Sequence, residues 1–205
     1  MNDPTNNRRI GVLISGRGSN LQALIDAIAE RRLHATIAVV ISSDPKAAGL
    51  DRARAAGLEA LSISHRGWPV REDYDRALAR ELTARDVRLV CLAGFMRIAG
   101  TPLLDAFPNA ILNIHPSLLP AFPGIDAQRQ ALEHGVKVSG VTVHLVDAGL
   151  DSGPIVLQHS VPVRDDDTRD TLAARILVEE HRAYPEAVQV MLDGGWRIEG
   201  RCFRR

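Results

Sequence analysis

Short apolar runs of four to six residues alternate with helix-length amphipathic segments from residue 10 to residue 114, and few architectures accept that order. Residues 10–15 form an apolar run that ends in Gly16-Arg17-Gly18, the pattern of a buried parallel strand entering a turn. Leu21, Leu24, Ile25 and Ile28 then recur at helical spacing. Residues 36–41 are a second, β-branched run, followed by the turn signal Ser42-Ser43-Asp44-Pro45 and an Ala/Arg-rich helix that stops at Gly57. Residues 60–63 are a weaker third strand, Tyr74, Leu78 and Leu82 mark another amphipathic helix, and residues 89–93 and 110–114 are strands four and five. Repeated β-α-β units with short connections predict a mostly parallel central sheet with helices on both faces.

The pattern changes near residue 116. Pro116, Pro120 and Pro123 with Gly124 make a stiff, non-helical segment. Val141, Val143 and Leu145 alternate with Thr142, His144 and Val146, as in a strand with two different faces, and residues 155–163 read as another strand. Residues 168–192 read as a helix with a kink at Pro185. No repeat or flexible linker interrupts the 205 residues, so the expectation is one α/β, Rossmann-like domain over residues 1–205, with residues 1–8 a disordered tail. The 25 basic side chains balance 25 acidic ones, which argues against nucleic acid or a membrane surface as partner. Residues 1–9 lack the apolar stretch of a signal peptide and no run is long enough to span a bilayer. Cys91 sits in a strand-like run and Cys202 lies far from it, with no Cys/His cluster of metal-binding spacing. A cytoplasmic protein without a metal is expected.

The turn Ser15-Gly16-Arg17-Gly18-Ser19-Asn20 joins the first strand to the first helix. Its glycines permit a tight turn with N–H groups aimed at an anion at a helix N-terminus; a plain turn with an N-cap fits the spacing equally well. A dinucleotide fingerprint would place Gly where Leu21 stands, so a phosphate monoester suits the loop better, with Asp44 keeping a dinucleotide reading weakly alive.

Asn113-Ile114-His115-Pro116 closes the fifth strand. Ligands of open α/β sheets bind beyond the carboxyl ends of strands, and alternation puts Asn113 and His115 on one face. An amide can donate to a developing oxyanion and an imidazole can carry a proton near neutral pH, although a lone His beside a proline is more often structural. Asp151, in Leu150-Asp151-Ser152-Gly153-Pro154, would orient that ring and stabilise its charged form if it lay nearby, or would serve simply as a turn-forming residue. Spacing alone does not bring the two together.

Gly16-Arg17-Gly18-Ser19-Asn20, Ala93-Gly94-Phe95-Met96-Arg97, residues 113–120 and Leu150-Asp151-Ser152-Gly153-Pro154 occur in this order, and together they resemble the phosphoribosylglycinamide formyltransferase family over nearly the whole chain. The resemblance implies the formyltransferase fold and transfer of a formyl group from 10-formyltetrahydrofolate to glycinamide ribonucleotide, by direct attack through a tetrahedral intermediate. It implies Asn113, His115 and Asp151 as the catalytic set. It implies Gly18, Ser19 and Asn20 at the acceptor's phosphate and Glu180 at its ribose. Arg71, Met96, Arg97, Ile98, Ala99, Asn113 and the backbone from Asp147 to Asp151 would take the folate, with His144 in a supporting position. Asp126 stands where some relatives carry a His and is left outside the catalytic set.

Four other readings lie close to this one. Methionyl-tRNA formyltransferases share the 113–120 segment but add an RNA-binding domain, for which 205 residues and no basic surplus leave no room. A formyltetrahydrofolate deformylase would use water in place of the amine and adds an N-terminal domain, whereas here the first strand begins at once. A catalytically silent folate- or nucleotide-binding module, or an NAD-dependent dehydrogenase, is what the fold alone would also permit. The chain is expected to act on small molecules as a monomer or homodimer.

Overall fold

The computed structural model describes residues 7–205. Among the described residues nine strands and six α-helices, with one short 3-10 helix His65–Gly67 between β3 and α3, follow one another as β1 Arg9–Ile14, α1 Ser19–Ala29, β2 Thr36–Ser42, α2 Gly49–Ala55, β3 Ala60–Ser62, α3 Arg71–Thr83, β4 Leu89–Leu92, α4 Thr101–Ala106, β5 Ile111–His115, α5 Ala127–Glu133, β6 Val138–Leu145, β7 Ile155–Pro162, α6 Arg169–Asp193, β8 Arg197–Glu199 and β9 Cys202–Arg204. The expected tail of residues 1–8 falls mostly outside the described residues. Asn7 and Arg8 are described: Asn7 Nδ2 donates to Asp86 O (2.8 Å), and Arg8 pairs with Asp193 (3.1 Å).

One sheet runs in the order β3-β2-β1-β4-β5-β6-β7-β9-β8. Its first five strands are mutually parallel, β6 runs antiparallel to both β5 and β7, β9 pairs in parallel with β7 at one residue, and β8 closes the edge as a hairpin with β9. The chain leaves β1 on one side for β2 and β3, then returns to the other side for β4 and β5. That reversal opens a crevice above the carboxyl ends of β1 and β4. Ser15 spans it: its N–H donates to Gly94 O (3.1 Å), and its Oγ accepts from Met96 N (2.9 Å) and lies 2.7 Å from Ser43 Oγ.

Strand alternation sorts the apolar residues into two layers. Ile10, Val12 and Ile14 of β1, with Leu89 and Cys91 of β4 and Val141, Val143 and Leu145 of β6, pack against Leu21 and Leu24 of α1 and against Ile176, Tyr184 and Val188 of α6. Leu13, Val90, Leu92 and Ile111 face the other way, onto Tyr74, Leu78 and Leu82 of α3 and Leu103 of α4. This second layer contains no residue of β6 or β7. There the proline-rich segment lies over the sheet in place of a helix. Thr142 Oγ1 donates to Ser117 O (2.7 Å) and accepts from Leu119 N (3.0 Å), and Gln158 Nε2 donates to Leu119 O (2.9 Å). The Leu119–Pro120 peptide is cis.

α4, α5 and the β8–β9 hairpin are not anticipated by the alternation. With six or seven residues per helix and three per strand, they are too short to show a period and draw their stability from packing. α6 starts on a capping box between Thr168 and Thr171 and continues through Pro185.

Tyr184 of α6 is fully buried, and its hydroxyl reaches Leu92 O at 2.9 Å and Leu112 O at 3.3 Å, joining the ends of β4 and β5 just before Asn113. Tyr184→Phe leaves two buried carbonyls without that donor and is expected to lower stability by about 1–2 kcal/mol, read as a lower urea midpoint at unchanged slope. An unchanged midpoint would show that the hydroxyl contributes nothing.

Candidate active site

The fifth strand presents its polar residues toward the proline-rich segment. In the β5–β6 register Asn113 sits opposite His144 and His115 opposite Thr142, so the amide, both imidazoles and the Thr142 hydroxyl share one face of the sheet. His115 and His144 are buried, and Asn113 is half-buried. Asp151 arrives from the β6–β7 loop with φ 48°, a left-handed conformation an aspartate adopts more readily than most residues.

The Asp151 carboxylate gathers the site. Oδ2 lies 3.4 Å from His115 Nδ1 and accepts from Gly124 N at 2.8 Å; Oδ1 accepts from Asn113 Nδ2 at 3.4 Å and lies 3.6 Å from His144 Nε2. Asn113 Nδ2 is also 3.1 Å from His144 Nε2. His144 Nδ1 donates to Leu145 O at 2.8 Å, and its Nε2 faces both the Asn113 amide and the Asp151 carboxylate.

His115 is placed between two oxygens. Nε2 donates to Phe122 O at 2.8 Å while Nδ1 faces Asp151. Only the doubly protonated ring satisfies both contacts. Burial opposes that state and holds the pKa of the ring below its ordinary value; the Phe122 carbonyl and Asp151 pull the other way, and His144 adds to the depression. For Asp151, burial raises the pKa, but the contact with His144, the Gly124 N–H and the attraction of His115 outweigh it, and the carboxyl titrates below its usual range. The result is an ionised carboxylate beside a ring that gains a proton only with help from its neighbours.

About the β1–α1 turn the geometry is equally local. Gly18 has φ 73°, and a Cβ there would lie 2.7 Å from Gly49 Cα, so the turn and the start of α2 touch through two glycines. Gly18 is the N-cap of α1 and makes no side-chain cap bond, leaving the first N–H groups of the helix for another acceptor. Asn20 Nδ2 donates to Glu180 Oε2 of α6 (2.7 Å), while its buried Oδ1 has no protein partner. Burial raises the pKa of Glu180 against the effect of that Asn20 bond. Ser19 lies beside them, half-buried.

Met96 is 73% exposed, and Ile98, Leu150 and Ile125 are also exposed, which is unusual for side chains of that size. Ala99 is buried and Arg97 exposed. Arg71 Nη2 donates to Ile98 O (2.6 Å), and Asp75 Oδ2 accepts from Gly100 N (3.0 Å), so α3 fixes the shape of the 96–100 segment. Asp147 accepts from Gly149 N (3.0 Å) and Ser152 Oγ (2.6 Å), which shapes the loop leading to Asp151. Among the described residues, no group of three or more His, Cys, Asp or Glu is arranged to hold a metal ion, and no helix is long and apolar enough to cross a membrane.

The side-chain pattern does not reveal the backbone contacts of Phe122 with His115 and of Gly124 with Asp151. Main-chain atoms carry no residue signature, and only Pro123-Gly124 hinted at an unusual backbone there.

A family model described as formyl transferase matches residues 8–188. The chain is 44% identical over 185 residues to the phosphoribosylglycinamide formyltransferase of Escherichia coli (strain K12), an alignment covering 90% of this chain and 87% of that protein. It is 49% identical over 189 residues to the trifunctional purine biosynthetic protein adenosine-3 of Drosophila melanogaster, covering 91% of this chain and 14% of that much longer relative. The crystal structure of glycinamide ribonucleotide transformylase 1 from Symbiobacterium toebii superposes with a TM-score of 0.95 at 58% identity, covering 97% of this chain and 94% of that one.

The pKa of His115 in the fold lies below the unperturbed value of 6.5, so the unfolded chain binds the proton first as pH falls. Stability tied to the neutral ring is complete above pH 6.5 and is lost as pH drops through the folded-state value. Chemical denaturation between pH 7 and 5 should show wild-type stability falling, and His115→Gln should remove part of that slope; His181, shifted in the same direction, accounts for some of the remainder. Equal slopes in the two proteins would contradict the assignment.

Proposed function

The chain belongs to the formyl transferase family, and from that premise we propose that it moves the formyl group of 10-formyltetrahydrofolate onto the amine of glycinamide ribonucleotide, a step of de novo purine synthesis. The observation that carries this reading is the meeting of Asn113, His115 and Asp151 within 3.4 Å contacts at the end of β5. An amide donor, a protonatable ring and an ionised carboxylate are what acyl transfer to an amine requires.

The phosphate of the acceptor fits the β1–α1 turn, where the free N–H groups after Gly18, the Ser19 hydroxyl and the helix dipole favour an anion. Asn20 and Glu180 suit the ribose: the unpartnered Asn20 Oδ1 accepts from a hydroxyl, and the Glu180 carboxylate does the same. The folate suits the exposed apolar side chains of the 96–98 segment, with Met96, Arg97, Ile98 and Ala99 flanking it, Arg71 at its edge, and the backbone of the Asp147 to Asp151 loop offered to the pterin's hydrogen-bonding edge. Asn113, between the two, faces both substrates.

In this scheme the amine attacks the formyl carbon, and the carbonyl oxygen becomes negative while the nitrogen becomes positive. Asn113 turns an Nδ2–H from its long contact with Asp151 to that oxygen. His115, charged, sets positive potential beside it. Asp151 supports the charged ring and passes the proton released by the attacking nitrogen to the departing folate nitrogen, directly or through one water. The tetrahedral intermediate then collapses, and no group of the protein is acylated.

Single-turnover kinetics with both substrates bound tests these roles. Asn113→Ala is expected to lower the rate by about 10²–10³, and Asp151→Asn by roughly 10²–10⁴, with smaller changes in KM. Transfer at a wild-type rate by either variant would remove that residue from the catalytic set. Formate release from the folate donor at the same rate without glycinamide ribonucleotide would show a hydrolase instead.

A further inference from the structure

We propose that Asp126 is a positioning residue of this site: its carboxylate, bridged between Arg169 and Arg129, holds the 122–126 segment in the conformation that presents the Phe122 carbonyl to His115 and the Gly124 N–H to Asp151. The inference rests on the formyl-transfer reading for its effect on rate, and on geometry alone for its effect on His115.

The segment does not settle into this shape by local preference. Phe122 (φ 55°), Gly124 (φ 81°) and Asp126 (φ 57°) all lie in the left-handed region, which a phenylalanine rarely adopts. Apolar burial does not anchor its far end, since Ile125 is 84% exposed. Polar ties do. Gln130 Nε2 donates to Pro123 O (3.2 Å) and Ile125 O (3.0 Å), Arg129 Nε donates to Asp126 Oδ2 (3.0 Å), and Arg169 Nε donates to Asp126 Oδ1 (2.7 Å). The last contact ties the segment to the first residue of α6, next to the Thr168 cap.

Asp126 is also the N-cap of α5, where an aspartate ordinarily accepts an N–H of the first turn. Here its side chain makes no cap bond, and both oxygens go to guanidinium groups instead. Capping therefore does not explain the residue; bridging two helices does. The surrounding charges are those of a small network: Arg129 also pairs with Glu133 (3.1 Å) and Arg169 with Asp170 (3.3 Å). Hydrogen bonding from Arg169, then from Arg129, holds the Asp126 carboxyl below its usual range, so the bridge is fully charged at neutral pH. His115, at the other end, is faced by Asp151, His144 and the Phe122 carbonyl.

The test uses the full chain as wild type, Asp126→Asn, Arg169→Gln and the double variant. Asparagine keeps the shape of aspartate and accepts positive φ, so the backbone is not what changes. The imidazole of His115 is titrated by NMR, its signal assigned by its loss in His115→Gln, and kcat is followed against pH for the same proteins. Releasing the segment takes the Phe122 carbonyl from His115 and the Gly124 N–H from Asp151. The titration midpoint of His115 should fall in both single variants, and the acid limb of kcat should move to higher pH. At pH 7 kcat should fall about three- to tenfold, in keeping with a partly exposed ion-pair network, while both KM values stay within about twofold. The double variant should be no worse than either single one, because the two residues form one bridge. His115 titrating as in wild type in both single variants overturns the proposal, as do strictly additive losses. A shifted His115 in a chain that transfers no formyl group leaves the bridge supported and overturns the formyl-transfer reading instead.

Discussion

One carboxylate organises the polar end of this fold. Asp151 is reached by Asn113 and His115 from β5, by the Gly124 N–H from the proline-rich segment, and by His144 of β6 at slightly longer range. Three parts of the chain are brought together on its two oxygens. Buried charge is costly unless it is compensated, and here compensation and function share a group. His144, the Gly124 N–H and His115 keep Asp151 ionised, and the last of these is the ring that the proposed chemistry needs.

The site exists because the sheet changes character at β5. Up to that strand the sheet is parallel and covered by helices on both faces, and its inward positions are apolar. Beyond it, β6 and β7 run antiparallel and keep α6 on one face only. The other face is free for Asn113, His115, Thr142, His144 and Gln158, and a loop rather than a helix covers them. A loop can supply its carbonyl and N–H groups where a helix would have spent them on itself. Phe122 O and Gly124 N are such groups, and their delivery depends on positive-φ backbone held by ion pairs at Asp126.

Much of this was legible in the amino-acid order. The five parallel strands follow from apolar runs separated by helical periods, the two-faced strand from the alternation of Val141, Val143 and Leu145 with polar neighbours, and the shared face of Asn113 and His115 from a spacing of two. The short α4 and α5 and the β8–β9 hairpin were not, because segments of three to seven residues carry no measurable period. Nor was the bond between Asn20 and Glu180, whose partners stand 160 positions apart and meet because α1 and α6 pack on the same face.

The sequence by itself determined the layer pattern and which side chains stand at the strand ends, because alternation and periodicity are properties of neighbouring residues. Only the tertiary structure decided that Asp151 meets His115, that the ring lies between two oxygens, and that Asp126 bridges two helices. Those facts depend on how loops close over a sheet, and closure is settled by packing and charge compensation between residues that share no local pattern.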